Sequence, residues 1–174
     1  MRKVLVAGMA LALAACATQT PSPRLYAPPP PAPPLPPHLA VIYGHGDYKS
    51  LTGAHGTCAG QSVALFHETV NYRRRIVSLY GSSEHALLPV SEVQTRSAKL
   101  AQSGSSPTPT ENPLVGSTQC GADGGFSFHD LQPGSYFIIA RTHQGHAAPP
   151  ADQYVMMLRV VLNEGESRDV SLAP

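Results

Sequence analysis

The sequence predicts an all-β sandwich, and three observations carry that expectation. Short segments alternate apolar and polar residues, with Val63 and Leu65 on one face of Ser62–Phe66 and Phe126 and Phe128 on one face farther on. Turn chemistry stands beside them: Asp123-Gly124 suits a tight turn, and Leu131-Gln132-Pro133-Gly134 suits a type II turn with Pro at i+1 and Gly at i+2. The run Tyr136–Ala140 is apolar on both faces, as a strand covered on both sides must be.

The chain opens with Met1, Arg2 and Lys3, followed by an unbroken apolar run from Val4 to Ala15. That run is too short for a transmembrane helix and suits the core of a signal peptide over residues 1–15. It closes Leu13-Ala14-Ala15-Cys16, which resembles the lipobox of bacterial lipoproteins. The resemblance implies cleavage before Cys16, lipidation of Cys16 and, with Ala17 in place of Asp, sorting to the outer membrane. Several acyl chains anchor stably where one does not. The other reading is an ordinary signal peptide with an accidental cysteine.

Residues 16–38 form a lipidated N-terminus and tether. Ten of the 18 prolines fall between Pro21 and Pro37, and proline at that density excludes helix and sheet. A polyproline II spacer results, rising about 3.1 Å per residue. It would lift a domain off the membrane or, alternatively, serve as a ligand for a proline-binding groove.

Residues 39–174 form one domain. Leu39–Tyr43 opens the sheet, and Ser62–Phe66 follows as an early strand. Val70–Tyr80 breaks the β pattern: Thr69 can cap a helix, Val70, Ile76, Val77 and Tyr80 fall near helical spacing, and Gly81 can end it. Residues 102–113 are rich in Ser, Pro, Thr and Gly and read as an exposed loop. The final strands, Gln153–Leu162 and Asp169–Leu172, flank a turn-rich stretch that suits a hairpin. Phe126, Phe128, Tyr136 and Ile138 are expected in the core.

The stretch Gly121-Ala122-Asp123-Gly124-Gly125-Phe126-Ser127-Phe128-His129-Asp130-Leu131-Gln132-Pro133-Gly134-Ser135-Tyr136-Phe137 resembles the signature of carboxypeptidase regulatory-like domains. Gly60-Gln61-Ser62-Val63-Ala64-Leu65 is similar to that family's early strand, and the chain's ending to its last hairpin. The resemblance implies a transthyretin-like (prealbumin-like) β-sandwich. Two departures stand out: Gly121 replaces the Asp often found before the turn, and an insertion of about 50 residues, 67–118, precedes the signature. A minimal sandwich does not need that insertion, so it is expected to be an accessory that carries function.

Composition excludes several functions. The 12 Lys and Arg against 11 Asp and Glu give a net charge of +1. Removing Arg2 and Lys3 with the leader leaves 10 against 11, a net of −1. Strong nucleic-acid binding through bulk charge is excluded. No GxSxG, HExxH or P-loop occurs, and the chain ends Val170-Ser171-Leu172-Ala173-Pro174, without the Tyr-Arg-Gly-Ser tail of transthyretin-like hydrolases. Neither an enzyme nor a cofactor is expected.

With Cys16 lipidated, Cys58 and Cys120 remain as an even pair in an oxidising compartment, each just before a predicted strand. A disulfide is expected, with two free thiols or a metal pair as the other readings. The eight histidines, notably His45, His55, His143 and His146, lack the acidic or Cys neighbours of a metal site, and none is expected. Arg73-Arg74-Arg75 reads as a solvated helix face or as a grip for an anionic partner such as a lipid headgroup. The function expected is a lipid-anchored envelope module that binds a protein or glycan partner. The alternative is a structural part of an envelope or secretion-type assembly, the architecture of type VI secretion lipoproteins being similar at the level of fold.

Overall fold

A computed structural model describes residues 38–49, 55–103, 112–144 and 153–173. The lipobox with Cys16, nearly all of the proline-rich segment and His146 lie outside the described residues. In chain order the elements are β1 (Ala40–His45), β2 (Asp47–Lys49), β3 (His55–Thr57), β4 (Ser62–His67), α1 (Val70–Tyr80), β5 (His85–Pro89), α2 (Val90–Gln102), β6 (Leu114–Gln119), β7 (Gly125–Leu131), β8 (Gly134–Gln144), β9 (Gln153–Leu162) and β10 (Ser167–Ser171).

Two sheets form a sandwich. In the main sheet β8 is central: it pairs β9 along one edge, and β4 and then β3 along the other. β4 carries β6, β9 carries β5, and β3 carries β2, all antiparallel. The small sheet has the order β10-β1-β7, with β1 parallel to β10 and antiparallel to β7.

Strand alternation splits the apolar residues between two cores. Even-numbered residues of β8 and β9, among them Tyr136, Ile138, Ala140, Met156 and Val160, face the small sheet, where they meet Ile42, Phe126 and Phe128. Odd-numbered residues Phe137, Ile139, Val155 and Met157 face away, into a second core with α1, β5 and α2. Phe126, Phe128, Tyr136 and Ile138 are all buried, as expected. The run Tyr136–Ala140 is apolar on both faces because a helical layer covers the back of the sheet.

That layer revises the reading of the insertion. Residues 67–118 supply both helices and the outer strands β5 and β6, and Ala86, Leu88, Val90 and Val93 help build the second core. The insertion is a structural layer of the domain. Four charges fasten it. Arg159 Nε lies 2.7 Å from Glu68 Oε2, and Arg73 Nη1 lies 3.3 Å from Glu68 Oε1. Both arginines also approach Glu84 at 3.6 Å, so β9, α1 and the turn before β5 share one ionic cluster.

The helix expected over Val70–Tyr80 is present with its caps. Thr69 Oγ1 accepts the Tyr72 amide at 3.1 Å, and Gly81 takes the left-handed φ of 76° and donates to the Val77 carbonyl. Its buried face differs: Val70 and Val77 are exposed, and the inward stripe is Tyr72, Ile76, Leu79 and Tyr80, at i, i+4, i+7 and i+8.

Two turns also depart from expectation. Gly134 has φ 156°, well beyond the value near 80° of a type II turn, and the left-handed residue there is Asp130, φ 56°. The chain changes sheets at this point, and the Tyr136 hydroxyl closes the corner by donating to the Gln132 carbonyl at 2.6 Å. β9 and β10 likewise belong to different sheets, so no hairpin joins them. The Gly165 amide donates to the His38 carbonyl, which ties the connection to the start of β1. The Glu166 carboxylate accepts the Asn163 amide at 2.8 Å, a bond that holds its pKa below the usual carboxylate value.

Candidate functional site

Helix α1 crosses the back of the main sheet and leaves a cleft of about 490 Å³ beneath one side. That size lies within the usual range of small-molecule sites, roughly 300–1,000 Å³. The sheet supplies the floor. Odd-numbered β8 residues face this way, and register sets Ile139 beside Ala64 of β4. Ala64 has only a methyl group where its neighbours carry bulk. Arg141, two residues beyond Ile139, borders the same hollow, and Gln61 and Ser62 lie at the start of β4.

The helix supplies the opposite wall, with Tyr72, Arg75, Ile76, Leu79 and Tyr80. Tyr72 is braced on two sides: its ring stacks on Phe66 at 5.1 Å and leans on Phe137 at 6.0 Å. The far end of α1 is braced by α2, whose Arg96 donates to the Leu79 carbonyl at 3.1 Å and pairs with Glu92.

Burial governs both phenols. It pushes the pKa of Tyr72 well above the ordinary tyrosine value, and that of Tyr80 up to about 12, with Arg141 and Arg75 pulling Tyr80 partly back. The hydroxyls are therefore neutral, as donors and acceptors, at any physiological pH. Because the folded pKa is raised above the unfolded value of 10.0, stability is intact below pH 10 and is lost as pH rises toward about 12. In an alkaline titration, the part of the tyrosinate absorbance that a Tyr72→Phe, Tyr80→Phe variant lacks is expected to rise together with loss of circular dichroism across that window. Phenols ionising while the fold persists beyond it would contradict this.

The sequence candidates are distributed unevenly. Cys58, after β3, and Cys120, after β6, stand with Cα atoms 5.8 Å apart and their sulfur atoms within bonding reach, and we propose that they pair in the mature chain. The backbone explains the meeting: the Cys120 amide donates to Gln61 O, and the Gly60 amide to Cys120 O, which extends the β4–β6 ladder. The arginine triplet is divided by helical rotation. Arg73 joins the ionic cluster, Arg74 is exposed, and Arg75 borders the cleft. His45 is in the small sheet and His55 in the main one, while His143 Nε2 lies 3.0 Å from the Ala59 carbonyl. Among the described residues no three His, Cys, Asp or Glu side chains gather as a metal site would require. No described helix is long and apolar enough to cross a membrane. The cleft itself was not legible in the sequence, because its walls come from residues 61–80 and 139–141 and meet only through the β4–β8 pairing.

No family model matches the chain, and no curated protein matches it. Among solved structures, a Pseudomonas aeruginosa protein described as a "putative carbohydrate binding protein" is similar over 79% of this chain and 90% of its own, with a TM-score of 0.51 and 17% identity. The basal pilin of Lactobacillus rhamnosus GG is similar over 79% of this chain and 96% of its own, with a TM-score of 0.38 and 18% identity. The minor pilin of Streptococcus agalactiae is similar over 79% of this chain and 44% of its own, with a TM-score of 0.36 and 8% identity. The first likeness bears on the fold alone; at their scores the pilins carry no argument.

Proposed function

We propose that the chain is a non-catalytic binding module of the bacterial envelope, and that the cleft beneath α1 receives a sugar. One observation carries the reading: the cleft joins an aromatic and aliphatic lining to two neutral phenols, the Gln61 amide and the Ser62 hydroxyl. A sugar offers apolar C–H faces and hydroxyl edges, and that lining suits both. The described lining residues include no carboxylate, imidazole or thiol that could act as base or nucleophile at neutral pH, so the chemistry on offer is recognition. The likeness in fold to a protein described as carbohydrate-binding supports the same reading.

Calorimetric titration against a panel of oligosaccharides tests it. Tyr72→Phe and Gln61→Ala each remove a polar group while sparing the core. Each is expected to weaken binding by about threefold to tenfold, the value of one net hydrogen bond. Unchanged affinity in both variants would move the site elsewhere. The anchor belongs to the same proposal. Lipidation of Cys16 would hold the module at the outer membrane, so Cys16→Ser is expected to release the protein from the membrane pellet. Retention after a salt wash would point to another anchor.

A second reading, a building block of an envelope assembly, is favoured by β6. It is an end strand of the main sheet, and Leu114 and Val115 on it are 46% and 48% exposed. An open apolar strand edge can accept a strand from a partner.

A further inference from the structure

We infer that the cleft selects acidic sugars, through Arg75 of α1 and Arg141 of β8. This rests on the reading of the cleft as a glycan site and specifies the class of glycan.

Arginine pairing carries the inference. Of the seven described arginines, Arg73, Arg96, Arg159 and Arg168 each have a carboxylate within 4 Å. The other three are Arg74, Arg75 and Arg141, for which no carboxylate partner occurs among the described residues. Two of those three border the same cleft, one on each wall, although they are 66 residues apart. Among the described residues no Asp or Glu lines the cleft to offset them. Both guanidiniums also lower the pKa of the Tyr80 phenol, another residue of the cleft lining.

The pairing of the rest makes this concentration informative. Glu68 and Glu84 serve Arg73 and Arg159 together, and Glu92 serves Arg96. Those carboxylates near α1 are committed to structure, and the cleft retains two arginines without a carboxylate partner among the described residues, over an apolar floor. Arg75 is half-buried beside that floor and Arg141 is exposed at its rim, so screening is reduced most at Arg75, and an anion bridging the two gains more there than from an isolated surface arginine. Guanidinium forks match carboxylates and sulfates geometrically, binding through two parallel hydrogen bonds. A neutral sugar would leave both charges unmatched. A uronic acid or a sulfated sugar supplies the missing anion and keeps the ring that the aromatic lining accepts.

The test is titration of the full folded domain with three oligosaccharides of equal length: a galacturonate oligomer, a sulfated oligomer and neutral cello-oligomers. A glutamate oligomer is the fourth probe. At least one acidic sugar is expected to bind about tenfold or more tightly than the neutral one, with affinity falling as salt rises. Arg75→Gln and Arg141→Gln should each lower that affinity about tenfold, and exposed Arg74→Gln should leave it unchanged. Whether the uronate or the sulfate binds better identifies the anion. Equal binding of neutral and acidic sugars, with both cleft variants unaffected, would overturn charge selection and leave the glycan reading intact. Equal binding of the glutamate oligomer would overturn it also, by showing that charge alone is read. If no sugar binds, the glycan reading itself fails, and this inference with it.

Discussion

Deleting residues 82–113 and bridging the gap with a short Gly-Ser loop is expected to abolish the folded domain. The cut removes β5 and α2 together with Glu84. β9 loses its outer neighbour, and Arg159 and Arg73 lose one of the two carboxylates that hold them. The larger effect is apolar. Ala86, Leu88, Val90 and Val93 leave the second core, and Phe137, Ile139, Val155 and Met157 lose the cover of their face. Burying a side chain of this kind contributes about 1.5–3 kcal/mol, so several lost together amount to about 10 kcal/mol. That is comparable with the whole stability of a domain this size, about 5–15 kcal/mol. Circular dichroism and a thermal melt decide it. Loss of the cooperative transition is the expected result, and a melt at the wild-type temperature would show that the helical layer is dispensable.

Replacing Cys58 and Cys120 by Ala is expected to cost about 4 kcal/mol, since the bond closes a separation of 62 residues. It ties the end of β3 to the segment between β6 and β7, so it staples the main sheet to the start of the small one. A loss of that size lowers the melting temperature by roughly 12–20 °C in a domain of this length. The same bond should yield a linked peptide pair in a non-reducing tryptic digest. Two freely alkylated thiols in envelope material, or equal melting of oxidised and reduced protein, would contradict the pairing we propose for the mature chain.

The sandwich was legible where a single face decides the pattern. β4 and β7 announce themselves in this way through alternation, β8 and β9 through continuous apolar runs, and α1 through Thr69 and Gly81, because cap and turn residues act locally. The misses share a physical cause. β2 and β3 have three residues each, too few for a period. β5 and α2 meet at Pro89, which ends a strand and opens a helix at once, and α2 has no side-chain cap to mark its start. Its signals were faint: Val90, Val93 and Leu100 at helical spacing, and Glu92 four residues before Arg96.

The cleft was illegible for a different reason. Ala64, Tyr72 and Arg141 have nothing in common along the chain; strand pairing and the rotation of α1 bring them to one hollow. Even the arginine triplet, visible at once as a charge run, concealed its division of labour. Successive helical residues turn by about 100°, so three neighbours cannot face one partner.

Amide chemical-shift mapping during titration with the galacturonate oligomer tests the cleft most directly. The largest shifts are expected at Ser62, Ala64, Tyr72, Arg75, Ile139 and Arg141, which border the hollow from both walls. Shifts confined to the β6 edge around Leu114 and Val115, with those residues silent, would place recognition on the strand edge and contradict a binding site beneath α1.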